Sequence, residues 1–222
     1  TKFNLAATES RLGNVETSNQ LIEELLTFSP QHNETLMLKA FNLTKAGKVD
    51  EAKQIYLDLL TLTPSNSGAR ERVSSLYQQQ GDIKNALYHL DLLIKDDFDN
   101  ADYLLRKAAL QLGNNQRADA EKTLSIVRNF INDDAGKLIA YADQARNIGD
   151  SEGALNAMAR AHDIANTSTF VTLRYTSLLL DLQKNDKAQS LLATVPANQQ
   201  QNPVYHFLKG RLAANKGNDE SA

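Results

Sequence analysis

Apolar residues follow helical spacing along this chain, and the same arrangement returns every 34 residues. Residues 33–66 show it most clearly, because Leu36, Ala40 and Leu43 are three or four positions apart and share one face of a helix. After Gly47 a second helical stripe is formed by Val49, Ala52, Ile55, Tyr56, Leu59 and Leu60. The pattern therefore predicts two amphipathic helices per unit, joined by a tight turn.

Small residues recur in three columns with the same period. The first-helix small column is Ala6, Ala40, Ser74, Ala108, Ala142, Thr176 and Gly210. The second-helix small column is Ser18, Ala52, Ala86, Ala120, Ala154, Ala188 and Ala222. The turn column, five residues ahead of it, is Gly13, Gly47, Gly81, Asn115, Gly149, Gln183 and Gly217. Two antiparallel helices approach closely only where side chains are small, and glycine favours the turn between them.

This periodicity predicts an all-α array of about thirteen helices. The expected units are approximately residues 1–32, 33–66, 67–100, 101–134, 135–168, 169–202 and 203–222 of a single array. Pro30 and Pro64 close the first two units, because proline cannot continue a helix, and Pro196 is expected to shorten the second helix of the sixth. Both terminal units are incomplete, so we expect the chain to be a segment excised from a longer repeat protein.

These columns resemble those of the tetratricopeptide repeat family over essentially the whole chain. The family's closing proline is replaced in later units by Phe98, Asn132 and Asn166. The resemblance implies a right-handed superhelical α-solenoid of antiparallel helix pairs, with the first helices lining a concave face that usually binds a peptide. The Leu38-Lys39-Ala40 pattern, repeated near the end of the chain as Leu208-Lys209-Gly210, is similar to that of long bacterial arrays of the exopolysaccharide and PEP-CTERM type. That similarity implies the bacterial periplasm or cell envelope.

Charge and composition argue against several classes of function. The net charge is −3, so we expect no broad basic surface for nucleic acid. No apolar run is long enough for a membrane span, and the lack of cysteine excludes disulfides and thiolate chemistry. The four histidines are scattered without metal-ligand spacing, and no catalytic motif is present. We therefore expect no metal, no cofactor and no enzymatic activity.

A partner protein or peptide is expected on the concave face of the first helices. The candidate residues are Met37, Phe41, Arg72, Leu105, Arg106, Leu112, Ile139, Arg146, Leu173 and Arg174. Leu105, Ile139 and Leu173 form an apolar column, and arginines beside it suit bidentate contacts with carboxylates. Alternatively, the leucines pack on the next repeat, and the arginines pair with neighbouring acids such as Asp102 or Asp143.

The sequence thus predicts a non-catalytic protein–protein interaction scaffold, belonging to a bacterial envelope or secretion/export assembly. Two other interpretations fit the same pattern. One is a regulatory or targeting domain attached to an enzyme outside this segment, and the other is a structural spacer whose groove is unused.

Overall fold

The computed structural model describes residues 1–219, which form thirteen α-helices and no strand. The helices are α1 (Lys2–Leu12), α2 (Val15–Phe28), α3 (Asn33–Lys45), α4 (Val49–Leu62), α5 (Ser67–Gln79), α6 (Ile83–Asp96), α7 (Ala101–Gly113), α8 (Arg117–Phe130), α9 (Ala135–Asn147), α10 (Ser151–Ile164), α11 (Thr169–Asp181), α12 (Asn185–Leu192) and α13 (Pro203–Asp219). The all-α class of helical repeats is confirmed, and the odd-numbered helices from α3 onward begin at the predicted residues.

The chain divides into two compact units, Thr1–Phe98 and Asp99–Ala222. In the first unit α1 packs on α2, α3 on α4 and α5 on α6, while α2 also contacts α3 and α4 contacts α5. In the second unit the pairs are α7 with α8, α9 with α10 and α11 with α12, and α13 packs on α11 and α12. The arrangement of all repeats as a single array stays a prediction.

The two small columns contact each other inside the helix pairs. Every first-helix member from Ala6 to Thr176, and every second-helix member from Ser18 to Ala188, has at most 1 % of its surface exposed. The Ser18 hydroxyl donates to the Ala6 carbonyl at 2.8 Å, and the Ser74 hydroxyl donates to the Ala86 carbonyl at 2.9 Å. A larger side chain in either column would therefore separate the helices. Gly210 is exposed on α13, and Ala222 lies outside the described residues.

The residues of the turn column adopt a left-handed backbone conformation, which explains why glycine is frequent there. Gly13, Gly47, Gly81 and Gly149 have φ between 76° and 90°, and Asn115 and Gln183 have φ of 58° and 57°. The residue after each turn donates its N–H back into the preceding helix, as Lys48 does to Leu43 at 2.9 Å. Gly217 does not follow this rule, since α13 runs through it to Asp219. The prediction of a turn there is wrong, because the helical backbone continues through Gly217 to Asp219.

Gln183 is the most strained member of the turn column, since its side chain gains nothing from the left-handed conformation that asparagine tolerates better. We expect Gln183→Gly to raise the free energy of unfolding by about 1 kcal/mol. Urea unfolding followed by circular dichroism measures this. Gln79→Gly is the control, because Gln79 ends α5 in ordinary helical geometry, where glycine destabilises. Equal effects of the two glycines would contradict the backbone explanation.

Pro196 has the predicted effect on the sixth unit. α12 has 8 residues, whereas the other five second helices have 14. A 3-10 turn, Ala197–Gln199, follows the proline. Pro30 and Pro64 lie two residues beyond the ends of α2 and α4, as the family pattern implies.

His89 on α6 is a buried titratable group in the first unit. Its ring stacks on Tyr77 at 5.7 Å between centroids and meets Tyr88 edge-on at 5.2 Å. It is 8 % exposed, and its Nδ1 atom has no hydrogen-bond partner among the described residues. Burial and the nearby Arg70 guanidinium both lower the pKa of His89 below its usual value.

Acid should therefore destabilise the first unit through His89. The unfolded state protonates this histidine at its ordinary pKa near 6.5, whereas the folded state resists protonation until lower pH. Stability is then complete above about pH 6.5 and falls as the pH drops toward the lowered value. Melting temperatures between pH 7.5 and 5 should show a smaller decrease for His89→Phe than for the wild type. An unchanged decrease in the variant would assign the acid sensitivity to other groups.

Candidate functional site

A cleft opens in the second unit between α9, α11 and the start of α13. Its volume is about 590 Å³. The lining residues are Ala142, Asp143, Arg146, Met158, Thr169, Phe170, Leu173, Arg174, Ser177, Leu178, Gln199, Asn202 and Val204. Phe170 and Val204, which line the cleft, leave 62 % and 49 % of their surfaces exposed. The cleft therefore combines an apolar interior with two exposed apolar residues.

Ion pairs cross this face of the second unit. The Arg174 guanidinium pairs with the Asp143 carboxylate. Asp181 bridges two arginines, Arg146 through its Oδ2 and Arg211 through its Oδ1, each at 2.8 Å. Three arginines against two aspartates leave one excess positive charge. The alternative in which an arginine pairs with Asp143 is confirmed, whereas Asp102 pairs with Lys137.

Phe170 and Arg174 form a joint feature at the edge of the cleft. One helical turn apart on α11, they place the guanidinium carbon 5.6 Å from the ring centroid, a cation–π contact. The Arg174 Nε atom is buried and has no hydrogen-bond partner in the described part of the chain. The aromatic face that Phe170 exposes at the edge of the cleft suits contact with an apolar group.

Two of the three residues of the predicted apolar column are largely buried, and their role in binding stays a prediction. Leu105 and Leu173 are only 5 % and 4 % exposed. Leu173 belongs to the core cluster of α11, α12 and α13, and only its edge reaches the cleft. Ile139 and Leu112 are half-buried, as is Arg106 on α7. A helical stripe shows which side chains avoid water, but it does not distinguish the face against the next repeat from an open groove.

Two of the predicted residues of the first unit, Phe41 and Arg72, contact each other. Phe41 on α3 is half-buried, with the Lys45 ammonium 4.9 Å and the Arg72 guanidinium carbon 5.9 Å from its centroid. Met37, one turn earlier on α3, packs on the core cluster of α3, α4 and α5. The structure thus brings Phe41 and Arg72 together and places Met37 mainly in the core.

Sequence reasoning missed Phe170 and Asp181. Phe170 stands in a column otherwise occupied by Glu34, Gly68, Asp102, Gly136 and Val204. A large aromatic residue in a column of small and polar residues is a signal that could have identified it. Asp181 gave no such signal, because a single acid near a helix end is ordinary in sequence.

Other site classes receive no support from the described residues. Residues 1–219 hold no group of histidine, aspartate and glutamate side chains suited to a metal ion. Among the helices of that segment, none is both long and apolar enough to cross a membrane.

Residues 149–212 match the family model described as tetratricopeptide repeat. This segment of the chain carries tetratricopeptide repeats. Repeats of this type are generally non-catalytic scaffolds for contacts between proteins. No curated protein is similar to the chain in sequence.

Several solved structures share the fold. A thermophilic tetratricopeptide repeat protein of Thermus thermophilus is 24 % identical, with a TM-score of 0.57 over 81 % of this chain and 97 % of its own. A tetratricopeptide repeat protein from Parabacteroides merdae is 14 % identical, with a TM-score of 0.67 over 99 % and 91 %. YrrB, described as having an unusual peptide-binding site, is 14 % identical, with a TM-score of 0.62 over 85 % and 97 %. At these identities the similarity shows the fold alone.

Proposed function

We propose that this protein is a non-catalytic scaffold that binds a peptide or protein segment on the first-helix face of its second unit. The cleft between α9, α11 and the start of α13 is the observation that carries the proposal. Its ligand is an extended or helical segment whose apolar side chain enters the cleft beside Phe170 and Val204.

Burial energetics support an apolar anchor. A leucine or phenylalanine side chain that leaves water on entering the cleft contributes about 1.5–3 kcal/mol. Leu173, Leu178 and Met158 provide the apolar floor, while Gln199 and Asn202 supply amides at the rim. The surrounding ion pairs hold Asp143 and Arg174 in place, so the walls are ordered before a partner arrives.

The comparison with YrrB adds indirect support. Its description records peptide binding by a chain of the same fold. We extend to this protein the general use of the repeat as a peptide-binding surface, and the cleft is our own assignment.

Panning a displayed library of random peptides against the immobilised protein tests the proposal. Ser177→Trp is the blocking variant, because Ser177 lines the cleft and an indole there would fill part of its volume. We expect the selected peptides to lose at least tenfold in affinity for this variant, the equivalent of about 1.4 kcal/mol. Fluorescence polarisation with each labelled peptide measures the affinity.

Ser125→Trp is the matched control, since Ser125 is exposed on the second helix α8. It should bind the selected peptides as the wild type does. Equal loss in both variants, or none in either, would overturn the assignment of the cleft. Failure to select any peptide would favour the structural-spacer interpretation.

The assignment to a bacterial envelope or secretion/export assembly is a further part of the proposal. It rests on the Leu38-Lys39-Ala40 and Leu208-Lys209-Gly210 pattern, together with the regular array, the replaced closing prolines and the Gln/Asn-rich loops. Fractionation of the native host, with antibody detection in periplasmic, membrane and cytoplasmic fractions, tests it. Recovery only in the cytoplasm would contradict it, and a catalytic domain on the same polypeptide would favour the regulatory alternative.

A further inference from the structure

Two grooves follow each other on the second-helix face of the second unit. The groove between α8 and α10 holds a cavity of about 270 Å³ beside Tyr141 of α9. In the next groove, between α10 and α12, one cavity of about 610 Å³ lies against α10 and another of about 510 Å³ lies against α12. Both share Tyr175 of α11, one repeat after Tyr141. This second groove, the α10–α12 groove, is therefore the more open of the two.

The two grooves differ because the side chains that close the first are replaced in the second. Arg128 of α8 donates from its Nε atom to the Tyr141 hydroxyl at 3.1 Å, and its guanidinium pairs with Asp150 at the start of α10. One repeat later the corresponding residues are His162 and Lys184. A histidine and a lysine have no opposite charges to pair, so no side chain bridges the α10–α12 groove in this way.

The α10–α12 groove is lined by apolar side chains that stay partly in contact with water. Leu155, Tyr175 and Leu191 are half-buried and pack on the outside of the core cluster of α11, α12 and α13. Within residues 1–219 the Tyr175 hydroxyl has no hydrogen-bond partner. Apolar surface gains free energy when it is removed from water, so covering this groove is favourable.

Opposite charges stand on the two walls of the groove. Glu152 on α10 and Lys187 on α12 are exposed, and in the described part of the chain neither forms an ion pair. The neighbouring charges are paired, Arg128 with Asp150, Arg160 with Asp133 and Lys216 with Asp186. An unpaired acid on one wall and an unpaired base on the other are self-complementary, because a two-fold rotation brings the acid of each copy to the base of the other.

We propose that the α10–α12 groove is the interface of a two-fold symmetric dimer, in which a second copy of this chain covers Tyr175. With the two-fold axis parallel to the second helices, the outward ridge of α12 from each copy lies in the groove of the other. Lys187 at the start of α12 then meets Glu152 at the start of α10 of the partner copy. The Ser190 and Thr194 hydroxyls on this ridge donate to carbonyls of α12 at 3.0 and 2.7 Å, so their burial leaves no donor unsatisfied.

This interface goes beyond the proposed function, since it is formed by the second helices and its occupant is a second copy. The peptide-binding cleft lies on the first-helix face and has its own test. Loss of the cleft would leave the dimer intact, and loss of the dimer would leave the cleft available.

Sedimentation equilibrium of the full chain over about a hundredfold range of concentration measures the dimer, because dimerisation follows mass action. We expect the wild type to dimerise. Glu152→Lys and Lys187→Glu should each raise the dissociation constant about tenfold or more, since each variant sets two pairs of like charges across the axis. Glu16→Lys is the matched control, because Glu16 is exposed on α2 of the first unit in the column of Glu152. It should dimerise as the wild type does.

An equimolar mixture of Glu152→Lys and Lys187→Glu gives the sharpest result. In a mixed dimer the two reversed positions face each other and the native pair remains on the other side of the axis. We therefore expect the mixture to dimerise about as tightly as the wild type, while circular dichroism shows that both variants are folded. A mixture that stays as weak as its components, or equal weakening by Glu16→Lys, would contradict the proposal. A wild type that is monomeric at every concentration would overturn the second copy as the occupant of the groove.

Discussion

Replacing Asn42 by leucine should lower the free energy of unfolding of the first unit by about 2–3 kcal/mol. Asn42 on α3 is 1 % exposed and joins three helices. Its side-chain oxygen Oδ1 accepts a hydrogen bond from the Ser10 hydroxyl at 2.5 Å. Its side-chain nitrogen Nδ2 donates to the Ser18 hydroxyl at 3.0 Å and to Asn19 Oδ1 at 2.9 Å. Leucine has the same branching and the same number of side-chain heavy atoms, but it would leave these polar groups without their partner, and a buried unsatisfied group is costly.

The double variant Ser10→Ala with Asn42→Leu separates this mechanism from simple packing damage. Removing both members of a buried hydrogen bond costs far less than removing one. The double variant should therefore recover part of the stability that Asn42→Leu loses, as measured by urea unfolding. A double variant less stable than the single one, with additive losses, would show that the network contributes through packing alone.

Enlarging the second-helix small column should also be costly. Ala120 on α8 and Ala154 on α10 are fully buried against the first helices of their pairs. Leucine at either position should cost about 1–3 kcal/mol, because the helices cannot separate without losing their other contacts. Coupling between neighbouring repeats should extend the loss to adjoining helix pairs.

Ala197→Leu is the control for that prediction, since Ala197 is exposed in the 3-10 turn after Pro196. Thermal melts followed by circular dichroism should place both column variants well below the wild type and Ala197→Leu close to it. Equal melting temperatures for the three variants would mean that the helix register is incorrect.

The fold could be predicted because its determinants are local and repeated. Small residues at fixed spacing specify where two helices meet, and the turn column specifies where the chain reverses. Even Asn115 and Gln183 keep the left-handed backbone of the glycines they replace. Gly217 is an exception, because it lies within α13 and has helical geometry.

The candidate site was less accessible from sequence, because it depends on which neighbour each side chain meets. Arg72 and Arg174 were predicted from their shared column and Arg146 from its position near it, but their partners are contributed by other repeats. Leu105 and Leu173 belong to the core, although their spacing is compatible with an open groove. Periodicity identifies a face of a helix, whereas exposure depends on how closely the next helix packs.

Amide hydrogen exchange, with and without the tightest-binding library peptide, tests the central claim most directly. If the first-helix face of the second unit is the binding surface, protection should increase at the start of α11, along α9 and at the beginning of α13. The second helices α8, α10 and α12 should change little. Protection confined to those second helices, or no change at saturating peptide, would contradict a peptide-binding role for this face.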